Sequence, residues 1–198
     1  CERLSIGGVT HPLCRKPGSL DGLWSFGIYQ GNLQKSIQKI KYQFVSDIVP
    51  TLVNLMILYW SKNSPLFLME VKKDQGVNWL VVPVPLHPKR EKFRGFNQSG
   101  ILAELITKKL DLKYADALKR VRFTKPQVSL KSVKRYQNVK GAFVLNLKFL
   151  PAGRQGSIQN TNIILIDDVW TTGSTLKECC SVLKKAGVKK VWGVTLAR

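Results

Sequence analysis

The chain has 198 residues, 44% of them hydrophobic, and a net charge of +20; this suffices for one full core with a small appendage. Its longest apolar window, 48–60, is interrupted by Pro50, Thr51 and Asn54, which excludes a bilayer span there. Four cysteines, with Cys179 and Cys180 adjacent and Cys1 and Cys14 far away, make no disulfide framework and suit a reducing, cytoplasmic setting.

The elements are expected in the following order. Residues 1–20 hold His11-x-x-Cys14, the spacing of a zinc half-site, with Cys1 as a third ligand. The alternative is a leader with two spare thiols. The first residue is not Met, so the natural start is expected upstream of Cys1. "LWSFGIY" (23–29) alternates like a strand. Leu33, Ile37, Ile40 and Phe44 mark one face of an amphipathic helix, and a second helix is expected over about 47–60. "SKNSP" reads as a loop. "NWLVVPVP" (78–85) is a short apolar run that suits a central strand of a parallel sheet. Ile101, Leu102, Leu105, Ile106 and Leu110 give the next helix face. "KYADALKRV" is expected as a strand, "SLKSVKRYQN" as a short helix and "GAFVL" as a strand. "LPAGRQGSIQN" (150–160) reads as a Pro/Gly loop with nothing to bury. "TNIILID" is a strand, Leu176, Cys179, Cys180 and Leu183 stripe a helix, and "KKVWGVTLA" closes as a strand. Alternating strands and helices predict an α/β fold with a mostly parallel sheet flanked by helices over 21–198.

Basic residues gather in 86–140, where fifteen Lys/Arg face four acids. Such a surface attracts phosphates; general solubility is the competing explanation. In parallel sheets ligands sit at the carboxyl ends of strands. There, Asp167-Asp168 end an apolar strand and Thr171-Thr172-Gly173-Ser174-Thr175 lead into a helix. Hydroxyls, amides and a glycine at the positive end of a helix dipole make a phosphate cradle. Acids just before it fit vicinal hydroxyls or a divalent metal. Together they describe a sugar with a terminal phosphate. A capped helix accounts for one hydroxyl only. Asp168 and Thr172 are expected outside the core.

"ILIDDVWTTGSTL" closely resembles the phosphoribosyl pyrophosphate (PRPP) signature of type I phosphoribosyltransferases. "VVPVPLHPKREKFRGFNQSGILA" and "RVRFTKPQVSLKSVKRYQNVKGAF" resemble two further signature blocks of the ComF family, and the likeness spans about 20–198. The resemblance implies that Asp167 and Asp168 hold the ribose hydroxyls and Thr171, Thr172, Gly173, Ser174 and Thr175 the 5′-phosphate. It places Lys89, Arg90 and Arg94 near pyrophosphate, with Asn97 and Gln98 opening the next helix. It makes 120–138, with Arg122, Lys125, Gln127, Arg135 and Asn138, a flap. It implies magnesium with PRPP, and a zinc-ribbon-like segment at 1–20, truncated here, held by Cys1, His11 and Cys14. No base-reading pocket or general base is legible, and His87 reads as a loop residue. Two functional classes follow: a PRPP-using or PRPP-sensing enzyme, or an accessory of natural competence that handles single-stranded DNA with the uptake machinery. Capping is the competing role for Arg94 and Asn97-Gln98.

Overall fold

The structure, a computed structural model, describes residues 6–76, 78–124, 137–146, 148 and 158–198. Five strands form one all-parallel sheet, in the order β1-β7-β6-β2-β3. They are β1 (Gly22–Gly27), β2 (Trp79–Pro83), β3 (Lys113–Tyr114), β6 (Asn162–Val169) and β7 (Lys190–Ala197). A separate antiparallel pair joins β4 (Leu118–Arg120) to β5 (Phe143–Leu145). The helices are α1 (Gly31–Tyr42), α2 (Ile48–Asn63), α3 (Leu66–Lys73), α4 (Pro88–Arg94), α5 (Gln98–Leu110) and α6 (Ser174–Lys185).

The inner strands are apolar on both faces because both faces are covered. Ile164 and Ile166 of β6, with Trp192 and Val194 of β7, pack against α1, α2, α3 and α5. Ile163 and Leu165 belong to a second core with Leu176, Cys179 and Leu183 of α6 and Leu118 and Phe143 of the β4–β5 pair. One helical layer and one mixed layer thus sandwich the sheet. Among the described residues no helix is long and apolar enough to cross a membrane.

Several elements differ from the sequence reading. Helix α1 stops at Tyr42, and Phe44 leaves the stripe with φ 59°. Its ring meets Phe93 edge-on at 5.7 Å instead of entering the core. Ser61, Lys62 and Asn63, read as loop, extend α2 until Ser64 ends it in a left-handed conformation. Helix α3 was not anticipated; its buried face is only Phe67, Leu68 and Val71, too short for a clear period. Helix α4 replaces the expected loop after β2, begun by Pro88 and capped by His87. "KYADALKRV" splits: β3 joins the main sheet and β4 turns away to pair with β5. Ile158, inside the stretch credited with nothing to bury, is 2% exposed and anchors the second core. Residues 150–157 of that stretch and most of the expected helix at 129–138 lie outside the described residues.

Residues 6–20 lean on the sheet's open edge. Val9 bridges Gly22 antiparallel, and Thr10 donates its N–H to Asp21 O at 2.8 Å. His11 caps the short turn Pro12–Cys14, its Nδ1 accepting from Leu13 N at 3.3 Å.

Candidate functional site

Strands β2 and β6 end side by side, with α5 and α6 starting beside them. Alternation along β6 sends successive side chains to opposite faces. Asp167 therefore shares the side of Leu165, and Asp168 that of Ile166. Asp168 is 5% exposed. This corrects the expectation that it lies outside the core: α1 and α5 close over it. Its Oδ1 meets Lys41 Nζ at 2.8 Å, and its Oδ2 accepts from Gln98 Nε2 at 2.8 Å. Gln98 Oε1 in turn accepts from Arg94 Nη1. Asp167 Oδ1 accepts from Ser99 Oγ at 3.2 Å and from the backbone N–H of Asp168 at 2.9 Å.

Two adjacent carboxylates with one paired cation cannot both ionise easily. Burial, and then the charge of Asp168, push the Asp167 carboxyl up to about 7; Lys41 and its hydrogen bonds oppose this. For Lys41, burial pulls the ammonium down, but Asp168 and Asp167 outweigh it and raise it above its ordinary value. Burial lowers Arg94, against the pull of Asp168.

After β6 the chain turns through Trp170 and Gly173. Gly173 has φ 70°, and a Cβ there would lie 2.2 Å from the Trp170 ring, so only glycine fits. Gly173 is the N-cap of α6 and offers no side-chain acceptor. The hydroxyls of Thr172 and Ser174 bond to each other at 2.8 Å instead of capping the helix. The capping explanation therefore fails for these two. Asp167, Trp170, Thr171, Ser174 and Thr175 line a small cradle over the helix start. Trp170 also walls a cavity of about 990 Å³ between residues 8–20, β1 and α6, which the sequence did not reveal.

The remaining expected residues are distributed unevenly. Lys89 is exposed on α4. Arg90 donates to Thr124 O at 2.9 Å and stacks over Phe123 at 5.5 Å. Asn97 caps α5, accepting from Ser99 N and donating to Val84 O, so capping is its role here. Gln98 reaches the acids. Arg122 is exposed and donates to Lys140 O. Lys125, Gln127 and Arg135 lie outside the described residues, as does Cys1, while Asn138 is partly buried. Cys14 is free and partly exposed, and the described residues hold no cluster of three metal-ligating groups. Sequence reasoning missed Lys41, Ser99 and Arg120. Lys41 stands beside Ile40 and four residues after Ile37, at the edge of a buried stripe. Arg120 occupies the inward position after Leu118 and outward Lys119. A charge at each such position was the available signal.

Residues 98–198 match the phosphoribosyl transferase domain family. The chain is 34% identical to Competence protein F of Haemophilus influenzae over 182 residues, covering 90% of this chain and 74% of that one. It is 29% identical to DNA utilization protein YhgH of Escherichia coli over 180 residues, 89% and 72% of the two chains. Competence protein ComFC of Bacillus subtilis is 26% identical over 214 residues, 98% and 79%. Strands β3, β6 and β7, the acids at the end of β6 and the glycine-bearing cradle fall inside the matched domain, and the relatives' likeness extends over nearly the whole chain: it belongs to the ComF family of type I phosphoribosyltransferase-fold proteins.

Proposed function

We propose that this chain binds PRPP, or a closely related phosphorylated ribose, at the carboxyl edge of its sheet. The observation that carries this reading is the start of α6, a glycine-capped helix where the hydroxyls of Thr172 and Ser174 bond to each other, set directly beside two acids. Thr171, Thr172, Gly173, Ser174 and Thr175 hold the 5′-phosphate on the helix N-terminus. Asp167 accepts from the ribose hydroxyls through Oδ2, since its Oδ1 already accepts two hydrogen bonds, and each Asp168 oxygen has a lone pair beyond the one bond named for it. Arg90 and Arg94, with Lys89 at the rim, face pyrophosphate, and Gln98 holds Asp168 in place. Gln127 and Arg135, outside the described residues, keep their expected assignment to the flap; Asn97 caps α5, and exposed Arg122 bonds Lys140 O.

Magnesium fits this donor set, since hard carboxylate and phosphate oxygens are its usual ligands. Asp168 already carries the Lys41 ammonium, so Asp167 and the ligand's own oxygens would hold the ion. When bound, it would neutralise charge on the departing pyrophosphate. Basic side chains stabilise the same charge in a transferase reaction. Titration calorimetry with PRPP and magnesium tests the reading: no heat at millimolar ligand overturns it. Turnover with an added nucleobase separates an enzyme from a PRPP sensor.

A second reading, an accessory in DNA uptake that holds single-stranded DNA, draws on a different observation. Phe93 and Phe123 are 80% and 60% exposed. They stand among Lys89, Arg90, Lys92 and Arg122, the mixture of stacking faces and cations that single strands bind. The names of the relatives point the same way. Binding that is flat between low and physiological salt would remove this reading.

For residues 1–20 we propose a zinc-ribbon-like segment with Cys1, His11, Cys14 and one upstream cysteine as ligands. In this chain, coordination through Nδ1 would replace the His11 capping bond, and the set is one ligand short, so the affinity is expected to be weak. Metal analysis of a chain extended upstream decides it; less than about half a zinc per chain overturns the assignment. The free, buried thiols of Cys179 and Cys180 suit a cytoplasmic setting.

A further inference from the structure

The two edges of the main sheet are built differently. At one edge, β3 is two residues long and carries the exposed Lys113. Shortness and a charge are usual guards against pairing with another chain. At the other edge, β1 is covered only at its start, where Val9 bridges Gly22 and Gly8 lies against the Leu23 carbonyl. Beyond that the strand is open. Gly27 O accepts from Arg198 N, and Tyr29 N donates to Arg198 O, so odd-numbered residues turn their backbone groups toward β7. Alternation turns those of Trp24 and Phe26 outward, and among the described residues nothing pairs with them.

Charge singles out the same place. Residues 22–34 contain no Asp, Glu, Lys or Arg, and neither do residues 48–61, in a chain of net charge +20. The fold sets these two stretches side by side. Trp24 meets Trp60 edge-on at 5.3 Å, and Phe26 meets Tyr59 edge-on at 6.1 Å. Leu55, Leu58 and Tyr59 share one face of α2 and are all exposed, as is Ile28 just past β1. Single apolar side chains on a surface mean little. A contiguous set beside an unguarded strand edge marks a contact surface.

The missing charge says which partner fits. An acidic protein or a nucleic acid is drawn to the lysines elsewhere and gains nothing here. Two copies of a strongly basic chain repel each other except where both are neutral. A strand edge is also its own complement about a two-fold axis.

We propose that this chain forms a two-fold dimer through β1 and α2. Trp24 exchanges backbone hydrogen bonds with Phe26 of the partner subunit, and Phe26 with the partner subunit's Trp24, about an axis beside Ser25. The sheet then runs through both copies, and the faces of α2 that bear Leu55, Leu58 and Tyr59 meet on one side of it. The inference stands apart from the ligand reading and does not depend on it.

Sedimentation equilibrium of the nuclease-treated chain should give twice the chain mass, with a dissociation constant of about 10 μM or tighter, the weak end for an interface of ordinary size. Added salt should tighten the dimer by screening the repulsion between its basic flanks. Copies bridged by charge or by residual nucleic acid would separate instead, and a dimer that salt dissociates overturns the proposal. Leu55→Lys combined with Leu58→Lys, both at exposed positions, should keep the wild-type far-ultraviolet spectrum and weaken the dimer at least tenfold. Amide exchange at Trp24 and Phe26 should slow as the concentration rises through the dissociation constant. A wild type that stays monomeric at about 100 μM overturns the proposal. So does a dimer that the double variant leaves intact, since its contact lies on another surface. Fast exchange at Trp24 and Phe26 within the dimer also overturns it, because the strands are then unpaired. Should the double variant fail to fold, Leu58→Ala decides: a weakened dimer supports the proposal and an unchanged one overturns it.

Discussion

Asp168→Asn perturbs the centre of the site with almost no change in shape. Both bonding partners named for this carboxylate are donors: Lys41 Nζ at 2.8 Å on one oxygen and Gln98 Nε2 at 2.8 Å on the other. An asparagine has one acceptor oxygen and one amide nitrogen, so one donor must then face another donor. Gln98 cannot resolve this by flipping, because its own oxygen accepts from Arg94. The lost bond is to a charged group and is worth about 1.5–3 kcal/mol. Relief of the repulsion on Asp167 offsets part of it, leaving a net loss of about 1–3 kcal/mol. For a domain of this size that lowers the melting temperature by about 2–12 °C. PRPP affinity should fall about ten- to a hundredfold, the equivalent of one charge-assisted hydrogen bond to a hydroxyl. Scanning fluorimetry and titration calorimetry with magnesium give both quantities from one preparation. Unchanged affinity in a folded variant would refute the assignment of Asp168 to the ribose. An unchanged melting temperature would refute the argument that its donors are interlocked.

The Asp167 carboxyl, held at about 7 when folded against an ordinary 3.8, binds its proton more tightly in the folded state. Its contribution therefore favours folding as pH falls from about 7 toward 3.8 and opposes it above 7; denaturant unfolding of wild type and Asp167→Asn across that range should differ in this sense. Ligand affinity should move the other way, falling below about pH 7, because an ionised acceptor is needed, and calorimetry on the same pair checks it. Gly173→Ala places a Cβ 2.2 Å from the Trp170 ring at φ 70°; it should cost at least about 1–2 kcal/mol in backbone strain alone and lower phosphate affinity, with tryptophan fluorescence reporting the ring's displacement. Thr172→Val should fold and lose about tenfold in PRPP affinity by calorimetry. Reversing Lys89, Lys92 and Arg122, all exposed near Phe93 and Phe123, should reduce single-stranded DNA binding more than reversing Lys108, Lys109 and Lys185 at the far ends of α5 and α6. In filter binding each lost phosphate contact should flatten the log–log salt slope by roughly 0.7.

The part of the site that the sequence made legible is contiguous. Strand β6, its two acids, the Thr/Gly turn and α6 follow one another within residues 162–185, and each step has a local cause: an apolar run, a glycine that tolerates positive φ, a helical stripe of Leu176, Cys179, Cys180 and Leu183. Charge placed the basic surface in the same way, by counting. What the sequence could not decide is which distant side chains complete the site. Lys41 reaches Asp168 only because α1 packs on the face where even-numbered residues of β6 point. Arg120 is buried only because "KYADALKRV" breaks after Tyr114 and sends Leu118–Arg120 to pair with Phe143–Leu145, a choice between two sheets that one run of residues does not encode. Helix α3 owes its helicity to the core that Phe67, Leu68 and Val71 enter, not to a period visible in eight residues. Local patterns reflect the preferences of neighbouring residues along the chain, so they determined the cradle. Burial depends on what another segment places opposite, so only the tertiary structure decided which charges face the acids.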